Sequence, residues 1–67
     1  MVDIERLKAT IKDSGMTMTS ISKKSGIVRE TLYNRLDGKG EFTASEITGL
    51  SVALKLTRTE RDEIFLQ

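Results

Sequence analysis

The stretch that decides the fold is Met16-Thr17-Met18-Thr19-Ser20-Ile21-Ser22-Lys23-Lys24-Ser25-Gly26-Ile27-Val28-Arg29-Glu30-Thr31-Leu32-Tyr33-Asn34-Arg35-Leu36-Asp37-Gly38. It reads as two short helices around a glycine turn. The first is expected from about Met18 to Lys24, with Thr17 as N-cap and Met16 packing on Ile21 as a hydrophobic staple. Ser22 is small, which favours close approach by a neighbouring helix. Lys23 and Lys24 suit the negative end of the helix dipole. Gly26 supplies the positive φ that a tight turn needs. The second helix is expected from about Val28 to Leu36. Leu32 and Leu36 lie four apart and face inward. Arg29 with Tyr33, and Glu30 with Asn34, share the opposite face. Ile27 and Leu32 then plug the space between the two helices.

Working outward, Asp3 caps a helix running from Ile4 to about Asp13, in which Ile4, Leu7 and Ile11 form an apolar stripe and Gly15 marks the end. Beyond Gly38, two capping boxes appear: Thr43-Ala44-Ser45-Glu46 and Thr57-Arg58-Thr59-Glu60. Each joins a threonine to a glutamate three residues on, and each precedes an apolar periodic segment. The first opens a helix with Ile47, Leu50 and Leu54 inward and Leu56 just beyond. The second opens a short helix carrying Ile64 and Phe65. No segment alternates as a strand would. The expectation is an all-α chain of five helices, forming one domain over residues 1–67.

Composition narrows the function. A 67-residue chain without Cys or His has neither disulfides nor the usual zinc ligands, so helix packing must hold it together. No apolar run is long enough to span a bilayer and no signal-peptide core is visible, which leads to the expectation of a cytoplasmic protein without a membrane partner. Carboxylates are plentiful, but none pairs with a nucleophile, so neither an enzyme nor a cofactor or small-molecule ligand is expected. The domain also offers little room for a pocket.

Net charge is only +1, but it is unevenly spread. Residues 16 to 40 carry Lys23, Lys24, Arg29, Arg35 and Lys39 against Glu30 and Asp37, a balance of +3. Residues 41 to 67 carry Lys55, Arg58 and Arg61 against Glu41, Glu46, Glu60, Asp62 and Glu63, a balance of −2. Such asymmetry is either ordinary surface charge or a nucleic-acid face on the basic side.

Two short helices around a glycine turn are the helix-turn-helix arrangement, spanning about residues 17–38. At these residues the chain resembles the Cro and phage-repressor family of regulators. Gly38-Lys39-Gly40 with Phe42-Thr43 looks like that family's loop into its fourth helix, and Leu50-Ser51 with Leu54 and Leu56 like the helix itself. The run Thr31 to Leu36, Glu41-Phe42-Thr43 and the late Glu60 to Phe65 are most similar to short Cro-like regulators of Gram-positive phages and integrated elements. The resemblance implies a five-helix lambda-repressor-like fold. Three positions depart from the pattern. Met18 stands where the family has a phosphate-binding Gln, Val28 where it often has a capping Ser or Thr, and Arg35 where it usually has a large apolar residue.

The resemblance implies that the second helix of the motif, from about Val28 to Leu36, enters the major groove of an operator. Arg29, Glu30, Tyr33 and Asn34 are then the base-reading candidates. Arg can donate twice to guanine, Asn can pair with adenine, and Glu can accept from cytosine. The competing reading of the same face is a solvated helix surface. Thr17, Thr19, Lys23, Lys24, Arg35 and Lys39 are phosphate candidates, though capping alone accounts for Thr17, and Lys23 and Lys24 serve equally as free surface lysines. A palindromic duplex would call for a weak homodimer, for which Val52, Phe65 and Leu66 are the exposed apolar candidates. The expected function is sequence-specific transcriptional regulation, most simply repression by occupancy. The alternative is a protein-binding antirepressor or antitoxin-like module working through the acidic C-terminal helices.

Overall fold

The computed structural model describes residues 1–66. Five helices follow one another: α1 (Ile4–Ser14), α2 (Met18–Ser25), α3 (Arg29–Leu36), α4 (Ala44–Ala53) and α5 (Arg58–Phe65). No strand occurs among the described residues, so the all-α expectation holds. Three boundaries differ slightly from those expected. α1 and α2 each run one residue further, and α3 starts at Arg29 because Val28 has the extended ψ of an N-cap.

The starts follow from capping chemistry. Asp3, Thr17, Thr43 and Thr57 each accept from a backbone N–H three residues on. Both anticipated capping boxes are complete: Glu46 and Glu60 accept in return from the N–H groups of Thr43 and Thr57, at 2.9 and 2.8 Å. The ends of α3 and α4 share one hydrogen-bonded pattern. After α3, the N–H groups of Gly38 and Lys39 donate to the carbonyls of Arg35 and Asn34; after α4, those of Lys55 and Leu56 donate to Val52 and Ser51. This is the Schellman arrangement, in which the first of the two donors turns left-handed. Gly38 does so at φ 82° and Lys55 at φ 54°. Lysine carries a Cβ penalty there that glycine does not.

Leu7, Ile21, Ile27, Leu32, Leu36, Leu50, Ile64 and Phe65 make one core, drawn from every helix and from the α2–α3 turn. Met16, Met18, Ile11, Ile47, Leu54 and Leu56 pack partly buried around it. Leu32 is fully buried, as its place between the two motif helices required. The first and last helices are joined directly: the Asp3 N–H donates to the Ile64 carbonyl at 2.7 Å, and Arg6 meets Glu63 at 2.9 Å on the surface.

Ser22 donates its hydroxyl to the Ile27 carbonyl and braces the turn. α4 approaches the end of α2 backbone to backbone. The contact is made by Gly49 of α4, which lies on the backbone of Ser25 at the end of α2. A Cβ at position 49 would fall well inside van der Waals contact with the Ser25 carbonyl oxygen.

Two expected outcomes concern stability. Gly49→Ala should destabilise by roughly 1–3 kcal/mol, because backbone blocks the new methyl and the helices must part. Lys55→Gly should stabilise by about 0.5 kcal/mol, since relief of the left-handed strain exceeds the added unfolded-state entropy. Urea unfolding of both variants checks the opposite signs. Separately, the Thr57 backbone and hydroxyl hold the Glu60 carboxyl below its ordinary value, helped by the charge of Arg6. A depressed native pKa stabilises fully above the ordinary glutamate range and is lost as pH falls through the native value. Glu60→Gln keeps the cap geometry but should flatten that part of the acid-side decline in melting temperature.

Candidate nucleic-acid interface

α2 and α3 are joined by Gly26-Ile27-Val28, a connection short enough to fix one helix relative to the other. Gly26 is left-handed at φ 76° and its N–H returns to the Ser22 carbonyl. Ile27 is buried. The Ser25 hydroxyl accepts from the Ile27 N–H and the Ser22 hydroxyl donates to the Ile27 carbonyl. Both backbone groups of Ile27 are therefore satisfied by serine side chains, which brace the turn.

Burial of Leu32 and Leu36 sets the phase of α3. Arg29, Glu30 and Tyr33 are consequently exposed and Asn34 half-buried. The Asn34 carbonyl accepts from Lys39 in the helix-ending bond. Its side-chain amide makes no hydrogen bond among the described residues, and neither do the side chains of Glu30 and Tyr33. All three are free to bind something else. Arg29 differs: its Nη1 donates to Thr19 Oγ1 of α2 at 3.0 Å.

The start of α3 contradicts ordinary helix economy. Val28 occupies the N-cap and gives no side-chain bond, while its own side chain is 69% exposed. Arg29 then puts a cation at the positive end of the helix dipole, as Arg58 does in α5, with Glu30 beside it as the offsetting charge. Every other helix in the chain begins with a hydrogen-bonding cap.

The phosphate candidates divide. Thr17 is engaged as the cap of α2, accepting from Ser20 N–H at 3.1 Å. Lys23, Lys24 and Lys39 are exposed and form no ion pair among the described residues. Thr19 is exposed and holds Arg29. Arg35 is turned inward: Nε meets Glu46 Oε1 at 3.3 Å and Nη1 donates to the Lys39 carbonyl at 3.2 Å. The two side chains are only 22% and 15% exposed. Arg35 therefore ties the end of α3 to the capping box of α4, and its guanidinium is not presented outward. Glu46 serves both purposes at once, since the same Oε1 accepts from the Thr43 N–H.

Of the dimer candidates, Val52 and Leu66 are 68% and 64% exposed. Phe65 is a correction. It is buried at 4% and stands edge-on to Phe42, with ring centroids 5.4 Å apart. Helix phase turns Ile64 and Phe65 together into the core and leaves only Leu66 outside.

A surface depression of about 320 Å³ lies between the N-terminal segment and the loop after α3, lined by Val2, Ile4, Phe42 and Ile47 among others. Arg35, on its wall, is already committed to Glu46. No helix among the described residues is long and apolar enough to cross a membrane. No known protein family, curated protein or solved structure matches the chain.

The missing cap on α3 leads to a stability test. Val28→Ser should add a bond to a free N–H of the first turn and raise stability by roughly 0.5–2 kcal/mol. Thermal and urea unfolding measure it directly, and an unchanged midpoint would mean that another group already satisfies those amides.

Proposed function

We propose that this chain is a sequence-specific double-stranded DNA-binding regulator of the lambda-repressor-like helix-turn-helix type, acting as a Cro-like repressor. The observation that carries the reading is the outward face of α3. It offers Arg29, Glu30, Tyr33 and Asn34 from a helix whose start lacks a side-chain cap. Those four side chains supply two-donor, acceptor, aromatic and amide chemistry, which is the vocabulary of base edges in the major groove. Exposed Lys23, Lys24 and Lys39 on the same stretch suit phosphates. Thr17 contributes through its helix cap, and the α2 N-terminus it organises offers free N–H groups to a phosphate.

Repression here means occupancy of an operator. One reading helix covers only a few base pairs, so the chain pairs on a palindrome with half-sites about 34 Å apart. Exposed Val52 and Leu66 are the apolar candidates for that contact. With Phe65 buried, the dimer is small and forms on DNA.

The test is selection of bound duplexes from random sequence, followed by titration on the enriched site at several salt concentrations. Arg29→Ala or Asn34→Ala should cost about 1–3 kcal/mol and relax preference at one base pair, while Lys24→Ala should weaken all duplexes alike and lower the salt slope by about one. If no sequence is enriched and retention on duplex DNA is indifferent to salt, the protein-binding alternative takes its place.

A further inference from the structure

We infer that Thr19 is a positioning residue for Arg29: it holds the guanidinium in the orientation that reads a guanine, and links that reading to a phosphate. The inference rests on the DNA-binding function proposed above.

The argument begins with how the chain uses its hydroxyls. Within helices, Thr and Ser side chains commonly turn back to the carbonyl four residues earlier. Thr10 does so with Arg6 at 2.9 Å, and Ser51 with Ile47 at 2.7 Å. Thr19 is the second residue of α2, so the carbonyl four residues back belongs to Gly15, outside the helix. Its hydroxyl is left for another partner, and the partner is Arg29 Nη1, ten residues away across the turn, at 3.0 Å.

The bond is specific in what it leaves open. Guanidinium is planar and carries five N–H donors in fixed directions. One hydrogen of Nη1 goes to Thr19 Oγ1. The edge made by Nε and Nη2 remains free, and it is a two-donor fork of the kind that matches guanine O6 and N7. Thr19 accepts in this bond and still has its own O–H to donate. A phosphate oxygen is the acceptor a bound duplex would bring to that side. A chain of donors then runs from guanine, through Arg29 and Thr19, to the backbone.

A neutral tether suits this task better than an acidic one. A carboxylate would neutralise the cation and compete with the base for the fork. A threonine fixes direction and leaves the charge intact. Arg29 also needs fixing: it stands at an uncapped helix start, where the dipole repels it and no neighbour on α3 holds it. Ordering the side chain before DNA arrives reduces the conformational entropy lost on binding.

The position read by Arg29 is first identified as the one whose preference Arg29→Ala relaxes. Affinities of the full chain are then measured for duplexes carrying each of the four base pairs there. Thr19→Val is close in shape and removes both hydrogen-bonding roles; Thr19→Ser retains them. We expect Thr19→Val to lower discrimination for guanine by about 3- to 10-fold, the range of one net hydrogen bond. Thr19→Ser should keep most of the discrimination. In an Arg29→Ala background, the effect of Thr19→Val on discrimination should vanish, which is the signature of coupling. Equal loss on all four duplexes would overturn the inference, because Thr19 would then be an ordinary phosphate contact. Unchanged discrimination would overturn it too. Failure of the wild-type chain to enrich any duplex is seen before any variant is made, and it removes the DNA-binding reading together with this one.

Discussion

Backbone meets backbone where Gly49 of α4 lies against the Ser25 carbonyl, and the rest of the arrangement depends on that closeness. Ser25 is the last residue of α2, immediately before the turn that aims α3. Seating α4 there fixes the end of α2 from outside the α2–α3 pair. Ser22 and Ser25 fix Ile27 from inside it. The Arg35–Glu46 pair then closes the far end of α3 onto the beginning of α4. The proposed reading helix is thus held at its entry by two serines and at its exit by an ion pair. Its outward side chains gain a stable platform although the helix itself is only eight residues long.

Stability is distributed in a way that agrees with this division. Helices α4 and α5 begin with complete capping boxes and α3 begins with none. A helix of eight residues is too short to persist on its own propensity, so burial of Leu32 and Leu36 must hold α3 in place. Its first turn contributes little to its own stability. The fold can tolerate that weakness because the cost is borne by neighbours with well-made ends.

The sequence disclosed elements more readily than contacts. Apolar spacing and caps are local signals, and Thr17, Thr43, Thr57 and the Leu32–Leu36 pair were legible for that reason. Gly49 was not, since nothing adjacent to it distinguishes a glycine at a crossing from one that merely interrupts a helix. Arg35 was misleading: an arginine in a basic stretch suggests a phosphate ligand, and only the return of the chain brings Glu46 beside it. Phe65 was misread from three consecutive apolar residues, because phase against α1 and Phe42 decides which of them is covered. The Thr19–Arg29 bond spans a turn between two helices, and no spacing rule connects positions ten apart there. Tertiary return of the chain, rather than local preference, made each of these contacts.

The hydrogen bond from Asp3 to Ile64 has a consequence for how the molecule comes apart. In most small domains the ends fray first and the middle follows. Here the residue that caps the first helix is bonded to the last, and Leu7 and Ile64 are both fully enclosed by the same core. Opening either helix alone exposes the buried face of the other. The two therefore belong to a single cooperative unit, and the boundary of that unit is the chain's own closure rather than any one helix.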